Sequence, residues 1–313
     1  MNKKTEKNKY VKNKYVKNKY VKTRKNKFKI LKCAPKQENK VASNMKGISC
    51  YGKEQILHMK NIWNSKNSNK IFTNNPKEIW SFFKDNLSDK CYNELCWLNN
   101  FNERFNLKIN KNMLIKNIFR PFSPDSWKKE PYKWLSSVDI INVMSQYEKK
   151  YENFSFIGPT PIDFDDKKLF GTCVWERLCK FDLNKYIENN KFKIGIVFNT
   201  DPHYKNGKHW IALFIDIKKR FIFYFDSNGD KIPKRIKVFV DRILEQGNKL
   251  NITFKFMTNE GKEHQLKDGS CGIYVLYFII ELLKGTKEPG YFKKYRIPDE
   301  AMKDYRKIYY NTN

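Results

Sequence analysis

The stretch HWIALFIDIKKRFIFYFDSNG, His209 to Gly229, decides the fold. Two apolar runs flank a short basic turn, the pattern of a β-hairpin. Folded about Ile217 and Lys218, an antiparallel pair sets residues whose numbers sum to 435 opposite one another, so His209 faces Asp226. Directly opposed residues point to the same side of a sheet, within reach of a hydrogen bond. Ile211, Leu213, Ile222 and Tyr224 share that side; Trp210, Ala212, Phe214, Phe221, Phe223 and Phe225 take the other. A hairpin apolar on both faces belongs at the centre of a sheet, covered by helices on each side.

A second stretch, QLKDGSCGIYVLYFIIELL from Gln265 to Leu283, brings a nucleophile. Asp268, Gly269 and Ser270 read as a turn and helix cap, and Cys271 opens the apolar helix that follows. A thiol at a helix N-terminus feels the positive end of the dipole, and a neighbouring imidazolium adds to it, so both favour thiolate. Gly272 leaves room for a close backbone approach. The Cys271 N–H and the Gln265 amide, six residues earlier, together form an oxyanion site. Singly, each residue has a commoner structural explanation: a packed cysteine, a core histidine beside Trp210, a turn-forming aspartate. Their joint occurrence in complementary register points to nucleophilic catalysis.

The order H-W, then D, then Q-x5-C-G resembles the cysteine protease clan that holds the adenovirus endopeptidase and the SUMO-specific (Ulp) proteases, over roughly residues 126–285. Ser270 stands where SUMO proteases usually carry Asp, which makes the chain more similar to the polyprotein-processing thiol proteases of large DNA viruses: poxviruses, African swine fever virus and giant viruses. WLSSVDIINVMSQYEKKYENFSFIGPTPIDF, Trp134 to Phe164, resembles the start of those viral domains. Asn199 matches an Asn they carry at a strand end. In some the third triad member is Asn, so Asn228 competes with Asp226, although the register favours Asp226. The resemblance implies an α+β fold: a Ulp/adenovirus-protease-like core with a central, mostly antiparallel sheet flanked by helices, plus an N-terminal helical arm domain. It implies catalytic His209, Asp226 and Cys271, oxyanion donor Gln265, and support from Asn199, Trp210 and Asn228, with no metal and no cofactor. The implied substrate is a viral structural polyprotein or core protein, cut in the virus factory of the host cytoplasm and in the virion. Three alternatives stay open: an isopeptidase for ubiquitin- or SUMO-like conjugates, an acyltransferase, and a non-catalytic basic virion protein that binds nucleic acid.

Composition bounds the rest. The chain has 313 residues, 16% of them aromatic, and a net charge of +30. The first 30 residues hold 13 Lys or Arg against one Glu, so basic character concentrates there and favours a polyanion partner. Residues 8–22 are three copies of NKYVK, read as a disordered tether with Lys for phosphate and Tyr10, Tyr15 and Tyr20 for stacking on bases, or as a solubility tail. The expected divisions are a basic tail over 1–44, a helical arm over 45–125 and a protease domain over 126–313. KEQILHMKNIWN, NPKEIWSFFKDNL and KCYNELCWLNNF supply arm helices, the second capped by Asn75 with Pro76 at its first position. Further helices are expected over 137–151 and 175–187, and strands over 194–199, 209–216, 220–226 and 252–257. Seven cysteines without C-x-x-C spacing argue for a reducing compartment and against a disulfide framework. A zinc site from His203, His209, His264 and Cys271 lacks finger-like spacing. No apolar run is long enough for a membrane span.

Overall fold

The structure, a computed structural model, describes residues 27–87, 91–105 and 111–312. The NKYVK repeats, and with them the expected nucleic-acid tether, lie outside the described residues. An arm domain comes first, with α1 (Lys53–Lys66), α2 (Pro76–Leu87), α3 (Glu94–Phe105) and α4 (Lys111–Ile118). Asn75 caps α2, its Oδ1 accepting the Lys77 N–H at 3.0 Å. The arm has its own core, in which Trp97, Phe83 and Ile79 are buried. Glu94 is buried in it as well and accepts from the Ser49 hydroxyl, the Cys50 N–H and Trp80 Nε1. Burial raises its carboxyl to about 7 against these bonds.

Within the stretch read as basic tail, Leu31 and Val41 are buried in the arm core and Ala34 is buried beside Ile118, whose carbonyl accepts its N–H, so the described segment from residue 27 is packed. Lysine content masks these few apolar anchors. The cysteines also depart from expectation. Cys33–Cys50, Cys91–Cys96 and Cys173–Cys179 form disulfides, with Cα atoms 5.1, 5.3 and 6.2 Å apart, and Cys271 is free. The pairs lie 17, 5 and 6 residues apart in sequence, spacings that carry no motif signal.

The second half runs α5 (Ser137–Lys150), β1 (Phe154–Pro161), α6 (Glu176–Cys179), α7 (Leu183–Glu188), β2 (Lys193–Asn199), β3 (Trp210–Asp216), β4 (Phe221–Phe225), α8 (Lys234–Lys249), β5 (Lys255–Thr258), α9 (Cys271–Lys284), α10 (Pro289–Lys294) and α11 (Asp299–Tyr309). The strands form one sheet in the order β1-β2-β3-β4-β5. Its centre is antiparallel, as expected, but β1 pairs with β2 and β5 with β4 in parallel, so the sheet is mixed. Strand β1, absent from the sequence reading, carries Gly158, Pro159 and Pro161 and shifts register between Ile157 and Thr160. Prolines of this kind are tolerated on an edge strand and erase its alternation. The helix expected over 175–187 is two short ones, broken around Phe181 and Asp182.

The hairpin register differs from expectation by two residues. Ala212 pairs with Phe225 and Asp216 with Phe221, so numbers sum to 437. The cause is the turn: Asp216 Oδ1 accepts the Lys219 N–H at 2.8 Å, and Arg220 takes a positive φ of 55°, closing a four-residue loop. A slip of two preserves the faces. Ile211, Leu213, Ile222 and Tyr224 pack with α8 residues Ile236, Phe239 and Ile243. Trp210, Phe214, Phe223 and Phe225 pack with α5 and α9. Every residue of α9 from Cys271 to Leu283 is buried, which makes it the central helix of the core, ended by Gly285 at φ 71°.

The C-terminus stitches the arm to the core. Asn311 is buried; its Oδ1 accepts the Lys32 N–H at 2.7 Å, and its Nδ2 donates to Lys32 O and Arg120 O at 3.1 and 3.0 Å. From α5, Gln146 Nε2 donates to Lys116 O and Phe119 O, each at 2.8 Å.

Candidate active site

The site forms where the sheet ends. His209 immediately precedes β3, Asp226 immediately follows β4, and Cys271 is the first residue of α9. Beyond the last paired residues the side chains no longer belong to one face. A histidine from the hairpin can therefore meet a thiol whose helix covers the opposite face from α8. His209 Nε2 lies 2.7 Å from Asp226 Oδ1. Extending the observed pairing puts Asn228, not Asp226, level with His209, so the contact is diagonal across the hairpin end. Asn228 is exposed and supplies its backbone N–H to Asp226 Oδ1 at 2.8 Å. It buttresses the carboxylate.

Asp226 is fixed by its surroundings. Its N–H donates to Asn259 Oδ1 at 3.0 Å, and Asn259 Nδ2 returns a bond to Asp226 O at 2.6 Å. Tyr224 Oη reaches Oδ2 at 3.4 Å. Asn259 is buried, and nothing in its flanking sequence marks it; only the fold brings it to Asp226.

Electrostatics single out His209. Burial alone would lower its pKa; hydrogen bonds to Asp226 and Cys271, and the charges of both, outweigh burial and raise it to about 10. With its pKa raised this far, the ring holds its proton at neutral pH, between Asp226 and the Cys271 sulfur. Because Nε2 is committed to Asp226, the proton shared with sulfur belongs to Nδ1. Cys271 is 2% exposed.

The oxyanion side follows from the helix start. Ser270 makes no side-chain cap bond, contrary to the sequence reading, and its backbone carbonyl accepts from Ile273 and Tyr274 N–H at 2.9 and 3.0 Å. In a trans peptide the following N–H points the opposite way, so the Cys271 N–H points out of the helix start. Gln265 is buried, with Oε1 accepting from Ser227 Oγ at 2.9 Å and Nε2 donating to Lys267 O at 2.8 Å. These bonds fix the amide's orientation and leave one of its two N–H groups uncommitted.

The supporting residues shape an adjoining cleft of about 690 Å³. Trp210 and Asn199 line it. Trp210 Nε1 donates to Leu135 O at 2.9 Å. Asn199 Oδ1 accepts from the Asp201 and Lys208 N–H at 2.9 and 3.0 Å, which folds the loop that delivers His209. Gly272 is required for a side chain rather than a backbone: a Cβ there would lie 2.8 Å from Leu135 Cβ. His264 is buried in the core, accepts the Ile297 N–H at Nδ1, and is lowered by burial to about 4. Among the described residues no three His, Cys, Asp or Glu side chains cluster as metal ligands. Among them, too, no helix is long and apolar enough to cross a membrane.

Comparison with known proteins places this arrangement. Residues 183–313 match the Ulp1 protease family, C-terminal catalytic domain. Over those residues the chain is similar to that family's catalytic domain. It is also similar to viral enzymes. It is 35% identical over 159 residues to a putative thiol protease of Acanthamoeba polyphaga mimivirus, covering 49% of each chain. It is 28% identical over 180 residues to the SUMO-1 cysteine protease of African swine fever virus, covering 55% of this chain and 66% of the relative. The chain thus spans about half to two thirds of the length of these curated relatives. A crystal structure of the African swine fever virus protease superposes with a TM-score of 0.63 at 22% identity, covering 90% of this chain and 95% of that one, and so shares the fold.

Proposed function

We propose that this protein is a cysteine endopeptidase that uses Cys271, His209 and Asp226 as a triad and processes viral structural polyproteins or core proteins during virion maturation. The observation that carries the reading is the His209 imidazole, bonded to Asp226 at 2.7 Å and raised to about 10 by Asp226 and Cys271 together. Asp226 holds the ring so that Nδ1 faces sulfur. The Cys271 thiolate attacks the scissile carbonyl and forms a C–S bond. The carbonyl oxygen takes up the displaced electron pair and is met by the Cys271 N–H and the free Gln265 N–H. As the C–N bond breaks, His209 protonates the leaving amine. Water, deprotonated by the now neutral His209, then cleaves the thioester and restores the thiol. Leu135 packs on Gly272, and its carbonyl accepts from Trp210 beside the cleft; the reading carries with it a preference for small residues next to the cut.

A panel of peptide aldehydes and vinyl sulfones, with the adduct located by mass spectrometry, tests the reading. The expected adduct is on Cys271, with small residues preferred at the cut position. An adduct elsewhere, or none, overturns it. Parallel incubation with a folded ubiquitin-like modifier bearing a C-terminal leaving group separates endopeptidase from isopeptidase, a comparison prompted by the African swine fever virus relative's name. Faster release from the modifier than from the best peptide transfers the assignment to the isopeptidase.

A further inference from the structure

The turn before Cys271 is held from behind by one buried arginine. Arg306, on α11, is 5% exposed. Its Nη2 donates to Gly269 O at 2.5 Å and to Tyr132 O at 3.3 Å, and its Nη1 donates to Lys133 O at 3.0 Å. The guanidinium lies 4.5 Å from the centre of the Trp127 ring. All its hydrogen bonds run to backbone carbonyls; among the described residues no carboxylate forms an ion pair with it. A buried cation without an anionic partner is costly, and a planar fork with five donors serves several carbonyls in fixed directions at once.

Those carbonyls belong to two stretches that frame the nucleophile. Gly269 has a φ of 93°, and a Cβ there would sit 2.1 Å from Tyr132 O, so the nucleophile turn lies directly against the carbonyl that Arg306 also holds. Tyr132 and Lys133 lead to Leu135, which packs on Gly272. With Gly269 O aimed at Arg306, the Ser270 N–H points away from it. The Ser270 carbonyl is in turn committed to α9 through Ile273 and Tyr274. The orientation of two consecutive peptide planes therefore ends at the Cys271 N–H.

We infer that Arg306 is a positioning residue for the oxyanion site: without touching substrate, it fixes the Gly269–Cys271 backbone so that the Cys271 N–H meets the developing negative charge. The inference rests on the protease reading above. It extends that reading to the C-terminal helix, whose far end, through Asn311, is bonded to the arm.

The test separates oxyanion geometry from thiol reactivity. Peptide hydrolysis passes through an oxyanion; alkylation by iodoacetamide, a displacement at saturated carbon, does not. Arg306→Met and Arg306→Lys should each lower kcat, by about 10²-fold for Met and less for Lys, with KM within about threefold. Peptide-aldehyde affinity should weaken in proportion to kcat, while in Arg306→Lys, which keeps the cation that interacts with Cys271, alkylation at neutral pH stays within about threefold of wild type. Gly269→Ala, which displaces the same turn with Arg306 intact, should reproduce the split. Equal loss of hydrolysis and alkylation in a variant that Arg306→Lys does not rescue would reduce the residue to a structural brace and overturn the inference. Unchanged kcat in Arg306→Lys and Gly269→Ala overturns it as well. If the wild type fails to cleave any peptide or its adduct is not on Cys271, the protease reading falls, and the inference with it. That outcome is recognised before any Arg306 variant is made.

Discussion

His209 and His203 each touch an aspartate at 2.7 Å, yet the two pairs are built for different ends. At His209 the nitrogen given to Asp226 is Nε2, the side chain is 14% exposed, and the ring's other nitrogen is left for Cys271. At His203 the nitrogen given to Asp163 is Nδ1, the side chain is 42% exposed, and the residue's own backbone N–H goes to the same carboxylate at 2.9 Å. The second pair pins a cleft loop. Burial and a third ionisable group beside the free ring nitrogen set the proposed catalytic pair apart from the second.

The largest expected effect comes from removing the group that distinguishes the pairs. Cys271→Ala and His209→Ala should each lower peptide turnover by about 10⁶-fold, since triad members act as a unit. Circular dichroism should show the fold retained. Loss of sulfur should also lower the His209 titration midpoint, read by NMR on labelled imidazole, because Cys271 contributes to raising it. Full turnover in Cys271→Ala would make His209 no more catalytic than His203.

Asp226→Ala should be milder, about 10⁴-fold, because the base remains while its orientation is lost. The pH profile sharpens the point. His209 is raised to about 10, so the proton needed by the leaving amine is present through neutrality and is lost as pH rises through about 10. The wild-type alkaline limb of kcat/KM should fall there. The same shift contributes stability that is complete below the ordinary imidazole pKa of about 6.5 and is lost as pH rises through about 10. In Asp226→Asn the limb should move toward neutrality; an unmoved limb would assign it to another group.

Gln265→Ala should cost about 10²- to 10³-fold in kcat with little change in KM, the usual loss for one oxyanion donor. Gln265→Glu should be worse, because a carboxylate repels the oxyanion. Unchanged turnover would leave the Cys271 N–H as the sole assigned donor and move the search to Asn199.

Much of this site is legible in the sequence because its parts are local. The hairpin alternation places His209 and Asp226 at one end of two adjacent strands, and an error of two in the register left the faces unchanged. The register itself was hidden because it depends on Asp216 capping the turn and on Arg220 at positive φ, a conformation that sequence alone does not assign to arginine. The onset of α9 at Cys271 is marked by Gly269. What the sequence concealed is long-range. Asn259 bonds Asp226 from 33 positions away, and Arg306 reaches Gly269 from 37. Neither has a local pattern. Strand β1 was masked by its prolines, and the packed segment after residue 27 by its lysines.

The smallest expected effect belongs to the second pair. His203→Ala removes the ring contact but leaves the Asp163 carboxylate accepting the backbone N–H of residue 203, so the loop keeps one of its two ties. One exposed hydrogen bond contributes on the order of 1 kcal/mol, and thermal unfolding should register no more than that. The loop lines the cleft beside Trp210 and Asn199, so any effect on catalysis should enter through substrate binding. Raised KM, by no more than about threefold, with unchanged kcat and an unchanged alkaline limb is the expected result for a short peptide. Asp163→Asn should behave alike, since its amide oxygen still accepts the backbone N–H. A fall in kcat comparable to that of Asp226→Ala would contradict the distinction drawn between the two pairs and place His203 in the chemical step.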